Sequence, residues 1–286
     1  MSTTVSKFLS HQQAPSLLLR FPRLLFPYFI INGVSVLRMR YARRAIRHAL
    51  QRIPSPRRVT DAGCGWGDFL FTTGAFTRSE QALGIDVSPS NIALCQRLAE
   101  ELHRPSLRFL CSDLASAAIP PQQDLILCIG VLMYIAEDEM VMRKFHDALS
   151  EDGLLLLYVA VNYRRRTALY RHLAQRPGFE YDEIIGRPQT YTDASIAALL
   201  ERTGFEVVEQ RHSFGTVAAT MFEFSAIFEW LYKSGNIVTH ILITPFYLLF
   251  FPLYHLAMAL DHLGRRTTGN GVMITARKRT QGTHRA

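Results

Sequence analysis

The chain has 286 residues, 48% hydrophobic and 20% charged, with a net charge of +8 at pH 7. That length suits one α/β domain with additions or two small domains, and the apolar share leaves hydrophobic surface beyond an ordinary core to be accounted for. The four cysteines, Cys64, Cys95, Cys111 and Cys128, form no C-x-x-C pair and no His–Cys cluster, which excludes a zinc ribbon or a disulfide framework and suits reduced cytosolic thiols.

The basicity belongs to an N-terminal arm, residues 1–56, and its junction. Residues 1–60 hold no Asp or Glu but eleven cations (Lys7, Arg20, Arg23, Arg38, Arg40, Arg43, Arg44, Arg47, Arg52, Arg57 and Arg58), so the rest of the chain is net −3. Such an arm suits a polyanion, either nucleic acid or anionic lipid. Leu17-Leu18-Leu19, Phe21, Leu24-Leu25-Phe26, Tyr28-Phe29-Ile30-Ile31, Val34, Val36 and Leu37 are too apolar for a nucleic-acid tail. Arginines flanking Leu and Phe clusters suit an interfacial helix; the competing reading is that these side chains cover the domain core. No signal peptide is expected, because Arg20 and Arg23 interrupt the apolar run and no small-residue cleavage site follows. Arg38–Arg52 has helical spacing, with Met39, Ala42, Ala45, Ile46, Ala49 and Leu50 on one face, and Ile53-Pro54-Ser55-Pro56 ends it.

Strand and helix then alternate. Val59–Ala62 reads as a strand, followed by Gly63, Gly65 and Gly67 and a helix over Gly67–Phe76. Glycines at alternate positions let the backbone turn sharply and approach a ligand, and the amides that open the next helix face the same way. A second strand, Leu83–Val87, carries Asp86 nineteen residues after Gly67. An acid at that strand tip is where a doubly wound fold holds ribose hydroxyls, so a nucleoside-containing ligand is expected. Ser88 caps a helix over Asn91–His103 with Pro89 at its first position. Strands follow at Leu107–Cys111 and Asp124–Val131, the latter a near-continuous apolar run, as a strand covered on both faces should be. A helix over Glu137–Leu149 stops at Ser150-Glu151-Asp152-Gly153, and Leu154–Ala160 is a fifth strand. Thr192-Asp193 caps a helix to Arg202, Gly204 ends it, and Phe205–Glu209 is a sixth strand. This order implies a largely parallel sheet with right-handed crossovers.

The pattern then breaks. Thr216–Leu231 is amphipathic and aromatic, and from Ser234 to Leu260 there is no Asp, Glu, Lys or Arg. That run is long enough to cross a bilayer. A single crossing, however, would strand the last strand, Gly271–Arg277, on the wrong side, and Pro245 and Pro252 are expected to break a continuous helix. The expectation is an apolar helical insertion, about 216–264, that roofs the active site or dips into one leaflet, with a re-entrant hairpin as the alternative. A basic tail, 279–286, is expected to be disordered.

Taken together, residues 57–211 and 271–278 resemble the class I S-adenosylmethionine-dependent methyltransferases. Asp61-Ala62-Gly63-Cys64-Gly65-Trp66-Gly67 is similar to the family's acid-x-G-x-G-x-G motif, and Asp86 occupies its ribose-binding position. Cys111-Ser112-Asp113-Leu114 resembles the adenine segment, Asp124–Tyr134 the fourth-strand motif, and Ser150–Leu154 the turn into the fifth strand. The resemblance implies a methyltransferase domain over 57–278: a Rossmann-like, seven-stranded, mostly parallel α/β sheet, last strand antiparallel, with N-terminal helices and an apolar insertion before that strand. It implies S-adenosylmethionine as cofactor and Asp61, Gly63, Cys64, Gly65, Gly67, Asp86, Val87, Asp113, Leu114 and Ile129 as its contacts. Asp61 would orient the loop and, through water, the cofactor's ammonium; Asp86 would take the ribose and Asp113 the adenine amine, helix capping being the other reading of Asp113. The glycine spacing departs from the G-x-G-x-x-G of dinucleotide sites. Ile129-Gly130-Val131-Leu132 lacks the Asn/Asp-Pro-Pro-aromatic motif of nucleic-acid amino-methyltransferases.

Tyr134, just after the fourth strand, is the candidate for touching cofactor or acceptor, with core packing as the equal alternative. His146, His172 and His212 are weaker candidates, and no metal is expected. The apolar insertion and basic arm point to a hydrophobic acceptor (lipid, isoprenoid or polyketide-like) and to a cytoplasmic protein peripherally bound to a membrane, with no nucleic-acid partner. The alternatives are a soluble small metabolite as acceptor, or a non-catalytic membrane-surface protein that keeps the fold. The sequence defines no oligomeric state.

Overall fold

The computed structural model describes residues 15–162, 164–176, 179, 189–264 and 266–279. The first fourteen residues of the arm and residues 280–286 of the tail lie outside them. The arm folds as α1 (Ser16–Arg20), a 3-10 turn (Pro22–Leu24), α2 (Leu25–Ser35) and α3 (Leu37–Arg52). The alternating part follows as β1 (Arg58–Ala62), α4 (Asp68–Thr72), β2 (Gln81–Asp86), α5 (Pro89–Glu101), β3 (Leu107–Cys111), β4 (Gln123–Ile129), α6 (Asp138–Ala148) and β5 (Leu149–Ala160). Next come α7 (Ala168–Leu173), α8 (Asp193–Arg202), β6 (Phe205–Ser213), α9 (Thr216–Ser234), α10 (Ile237–Leu263) and β7 (Gly271–Lys278).

The strands form one sheet in the order β3-β2-β1-β4-β5-β7-β6. β1 to β5 pair in parallel, and β7 runs antiparallel between β5 and β6, with Tyr158 opposite Met273 and Arg211 opposite that same residue. This is the Rossmann-like arrangement expected. β6 continues past Glu209 to Ser213 because β7 matches it down to the Ser213–Gly271 pair. α4 ends at Thr72, shorter than expected, because Thr73 turns extended ahead of Gly74.

Alternate residues of each strand feed two core layers. On one face Ile126, Cys128, Leu155 and Leu157 pack with α6 and α8 residues such as Phe145 and Leu199. On the other, Leu125, Leu127, Leu154 and Leu156 meet the arm, through Leu25, Phe29, Leu37, Tyr41, Ala42 and Ile46. One face of the arm therefore covers the core, while Leu17, Phe21, Leu24, Ile30, Ile31 and Val34 stay exposed. Full burial of a Leu or Phe side chain stabilises by about 1.5–3 kcal/mol, so removing α2 and α3 would open the domain itself.

α9 and α10 form an antiparallel helical hairpin. Its turn is Gly235-Asn236, where Asn236 Oδ1 accepts from the amides of Val238 and Thr239, both at 3.1 Å. The seam is aromatic, with Phe224 against Phe250, and Phe228 and Tyr232 against Tyr247. Contrary to the sequence expectation, α10 passes Pro245 and Pro252 without a break. The two prolines stand two turns apart on the exposed side, so both missing hydrogen bonds fall on one face while the face packed on α9 continues.

Candidate active site

The chain leaves β1 through Gly63, Gly65 and Gly67, whose φ angles of +82°, +54° and +78° disfavour any side chain. A Cβ at Gly63 would collide with Val131, and one at Gly67 would stand 2.8 Å from the Phe71 ring. At Gly65 it would meet nothing within 4 Å, so this peptide borders open space. The loop is held from beneath: the amides of Gly63 and Cys64 donate to the carbonyl of Ile85 at 2.7 and 3.0 Å.

Asp86 completes that support. Its Oδ2 accepts from the Gly65 amide at 2.9 Å, and its Oδ1 from the Ser88 amide at 2.9 Å and Asn91 Nδ2 at 3.3 Å. Burial raises its pKa, and these donors act against the rise. Trp66, between the last two glycines, donates Nε1–H to Asn91 Oδ1 at 2.9 Å, tying the loop to α5. Cys64 is buried, and its thiol is held well above its usual range by a hydrogen bond with Cys95 and by burial.

Asp61 lies at the end of β1, 2% exposed, and its Oδ2 has no hydrogen-bond partner within the protein. Burial, reinforced by the charges of Asp86 and Asp68, raises its pKa to about 8. An unpaired buried carboxylate is costly, and a bound cation would relieve it.

Above the loop is a cavity of about 530 Å³, within the range of small-molecule sites. Asp61, Gly63, Cys64, Gly65, Trp66, Asp68, Phe69 and Ile129 form its floor and walls, and Tyr28, Phe29, Asn32, Arg38 and Met39 of the arm its roof. The roof is fastened by Arg43 Nη2 to Asp68 Oδ1 at 2.8 Å, by Asn32 Nδ2 to Asp68 Oδ2 at 3.4 Å, and by the Tyr28 and Trp66 rings at 4.8 Å. The insertion contributes none of these lining residues; the roof, one of the two roles expected of it, comes from the arm, whose α3 packs on β5, β7 and β6 and carries α2 beside it.

Of the residues singled out from sequence, Asp61, Gly63, Cys64, Gly65 and Ile129 line the cavity. Gly67 and Asp86 stand behind the loop they shape. Val87 lies just past β2 and its carbonyl accepts from the Cys111 thiol at 3.7 Å. Asp113 is exposed and its Oδ1 accepts from the Ala115 amide at 2.9 Å, while Leu114 is buried in the second core layer. Tyr134 is half-buried in the turn after β4 and packs on that same layer. His146 meets Phe205 edge to face, and His212 Nε2 meets Asp193 Oδ1 at 2.8 Å, both away from the cavity lining. His172, in the last turn of α7, is likewise outside the lining. Among the described residues no group of three or more His, Cys, Asp or Glu could hold a metal ion.

Sequence reasoning missed Arg38, Tyr28, Asn32 and Trp66. Arg38 Nη1 would stand 2.9 Å from a Cβ at Gly130, and it makes no ion pair among the described residues. Its only sequence signal was membership of the basic arm. An unpaired guanidinium and an unpaired carboxylate thus border one cavity beside a glycine loop. That set fits a zwitterionic amino-acid group carried on a nucleoside.

A sequence-family profile described as a methyltransferase domain matches residues 37–210. The trans-aconitate 2-methyltransferase of Methylobacterium nodulans is 29% identical over 133 residues, 46% of this chain and 50% of that protein, so the match spans about half of the relative's length. Among solved structures, the O-methyltransferase of a trans-AT polyketide synthase multienzyme of Brevibacillus brevis, in complex with S-adenosyl-L-homocysteine, superposes with a TM-score of 0.56 at 14% identity, over 94% of this chain and 82% of that one. A cyclopropane synthase from Mycobacterium tuberculosis gives a TM-score of 0.52 at 17% identity, over 82% and 84%. The [4+2]-cyclase SpnF gives 0.52 at 18% identity, over 82% and 80%. At these identities the structural likenesses establish the fold.

Proposed function

We propose that this chain, which belongs to the class I S-adenosylmethionine-dependent methyltransferases, methylates a hydrophobic acceptor of lipid, isoprenoid or polyketide type at a membrane surface. The family and its cofactor are the premise; the acceptor and its location are the proposal. The observation that carries it is the cavity roof. Tyr28, Phe29 and Met39 line the space above the glycine loop, and α2 also exposes Ile30, Ile31 and Val34. An apolar molecule is thus offered apolar surface both on the outside of the arm and inside the cavity roof.

The residues fit the cofactor. Gly63, Cys64, Gly65 and Gly67 would present backbone to its methionine and ribose portions, and Asp86 would accept from the ribose hydroxyls. Asp113 would accept from the adenine amine, and Val87, Leu114 and Ile129 would wall the base. Asp61 Oδ2, orphaned and buried, suits the ammonium, and Arg38 suits the carboxylate. When bound, the cofactor supplies an electrophilic methyl on a sulfonium, which an acceptor nucleophile displaces in line. The chain's own part is to align that acceptor and exclude water, through Tyr28, Phe29 and Met39 above and Trp66 and Phe69 beside it. Tyr134 remains a candidate for touching the acceptor.

Two observations favour a second reading, a soluble carboxylated metabolite: the relative named for trans-aconitate, and Arg38, which has no acidic partner among the described residues and in this reading would hold an acceptor carboxylate instead of the cofactor's. Incubation with methyl-labelled cofactor and either a total lipid extract or an aqueous metabolite extract separates the two. Label in an organic-soluble product supports the hydrophobic acceptor, and label confined to water-soluble product overturns it. No transfer to either extract would favour a binding protein that keeps the fold without turnover.

A further inference from the structure

α10 is a 27-residue helix whose most apolar 18-residue window has a mean hydropathy of 1.7, and none of that window is buried. Ile241, Leu242, Phe246, Leu249, Phe251 and Leu256 are all exposed, Leu249 at 71% and Phe246 at 68%. At the helical advance of about 100° per residue, these six point over roughly 220° of the circumference. A partner protein or a second copy would cover a stripe about 100° wide. An arc of more than half a turn matches a fluid apolar medium that wraps around the helix.

Two further features have the chemistry of lipid burial. Three polar side chains near the hairpin's turn bond within it. Tyr232 Oη and Thr244 Oγ1 share a hydrogen bond of 2.7 Å, Thr244 Oγ1 donates to the His240 carbonyl at 2.6 Å, and His240 Nε2 meets the Tyr232 carbonyl at 2.9 Å. Hydrocarbon demands such internal pairing. At the end of α10, charge of one sign gathers. Arg44 Nη1 donates to the carbonyl of His262 at 3.4 Å, and the charges of Arg40, Arg44, Arg47 and Arg211 all act on His262. Two acids adjoin this group, Glu209, paired with Arg211 and His48, and the fully buried Asp261, paired with Arg266. A cationic cluster bordering an uncharged apolar helix fits the phosphates at the edge of an anionic leaflet.

We infer that α10 is a monotopic membrane anchor: its outer face enters one leaflet of an anionic bilayer, with Arg40, Arg44 and Arg47 seated on lipid phosphates. The hairpin leaves the sheet at Ser213, the strand end it shares with Ala62 and Asp86, so docking brings the cavity to the leaflet. This deepens the proposed function and rests on its placing of the acceptor in a membrane.

The test is flotation of the full chain with phosphatidylcholine vesicles, with and without phosphatidylglycerol. Wild type floats with the anionic vesicles. A triple variant, Ile241→Asp, Phe246→Asp and Leu249→Asp, alters only exposed side chains, keeps the wild-type melting temperature and stays in the soluble fraction. Arg40→Gln with Arg47→Gln weakens partitioning onto anionic vesicles about tenfold or more and leaves the zwitterionic case unchanged. Flotation of the triple variant at the wild-type level would overturn the anchor. So would a wild type that ignores both vesicles and elutes as a dimer that the triple variant dissolves. Methylation of the same acceptor in detergent micelles reads the proposed function separately. A triple variant active there but inactive on vesicles supports the anchor, and flotation without any organic-soluble product overturns the acceptor alone.

Discussion

The hydroxyl of Tyr41 on α3 donates to Asp261 on α10, at 3.0 Å to Oδ1 and 2.9 Å to the backbone carbonyl, joining the arm to the root of the insertion. Asp261 is fully buried, also accepts from the amides of Phe214 and Gly215 at 3.2 and 2.9 Å, and forms an ion pair with Arg266, whose Nε lies 2.8 Å from Oδ2. The helices that roof the cavity and the hairpin that carries the exposed apolar face thus share one carboxylate. Asp261→Ala leaves Arg266 and two amides unpaired in the interior and should cost about 3–5 kcal/mol. Tyr41→Phe removes one donor and should cost about 1–2 kcal/mol. Denaturant unfolding checks the order, and equal losses would contradict it.

Asp61 makes a prediction about pH. Its folded pKa, about 8, is above the ordinary aspartate value, so from about pH 4 to 8 the free folded chain holds a proton that the unfolded chain has lost. Stability from this group is therefore greatest below about pH 4 and declines as pH rises to about 8. Cofactor binding runs the other way. A cation at Oδ2 favours the carboxylate, so binding below pH 8 releases a proton and tightens as pH rises. Calorimetry at pH 7 in buffers of different ionisation enthalpy should detect close to one proton released, and Asp61→Asn should abolish the release. The same release from the Asn variant would remove Asp61 from the cofactor site.

The succession of strands and helices along the chain and the glycine loop could be read directly, because alternation of apolar runs and the spacing of Gly63, Gly65, Gly67 and Asp86 are local signals. The roof could not. The pattern of α2 and α3 shows which residues are apolar but not which surface they return to, so Phe29 and Tyr28 read as membrane contacts or as core cover, and neither reading made them the ceiling of a cavity. Arg38 was one of eleven cations in a run, and nothing local separates it from Arg40 or Arg47. The prolines of α10 misled for a related reason. The rule that they break helices is local, but whether Pro245 and Pro252 share an exposed side depends on where α9 packs.

Arg38 and Asp86 should differ in how they fail. Arg38→Met removes an unpaired cation from the cavity and should weaken S-adenosylmethionine binding about tenfold or more without lowering the melting temperature. Asp86→Ala should weaken binding at least as much and also lower the melting temperature, because the Gly65 and Ser88 amides lose their acceptor. Normal affinity in the Arg38 variant, measured by calorimetry, would remove that residue from the cofactor site.

Gly63 and Gly65 offer the sharpest separation of fold from function within one loop. Both have positive φ, so alanine at either position strains the backbone by about 1 kcal/mol or more. At Gly63 the added methyl also collides with Val131, so Gly63→Ala should destabilise by about 1–3 kcal/mol beyond that strain, as overpacking does. At Gly65 it meets no protein atom within 4 Å and projects into the space the cofactor's backbone-facing edge would occupy. Gly65→Ala should therefore melt only a few degrees below wild type yet lose most of its affinity for S-adenosylmethionine. Thermal unfolding with and without the cofactor reads both quantities together. The Gly65 variant should show little or no ligand-induced shift, and the Gly63 variant a lower starting temperature with part of the shift retained. A full wild-type shift in Gly65→Ala would mean that the loop faces something other than the cofactor.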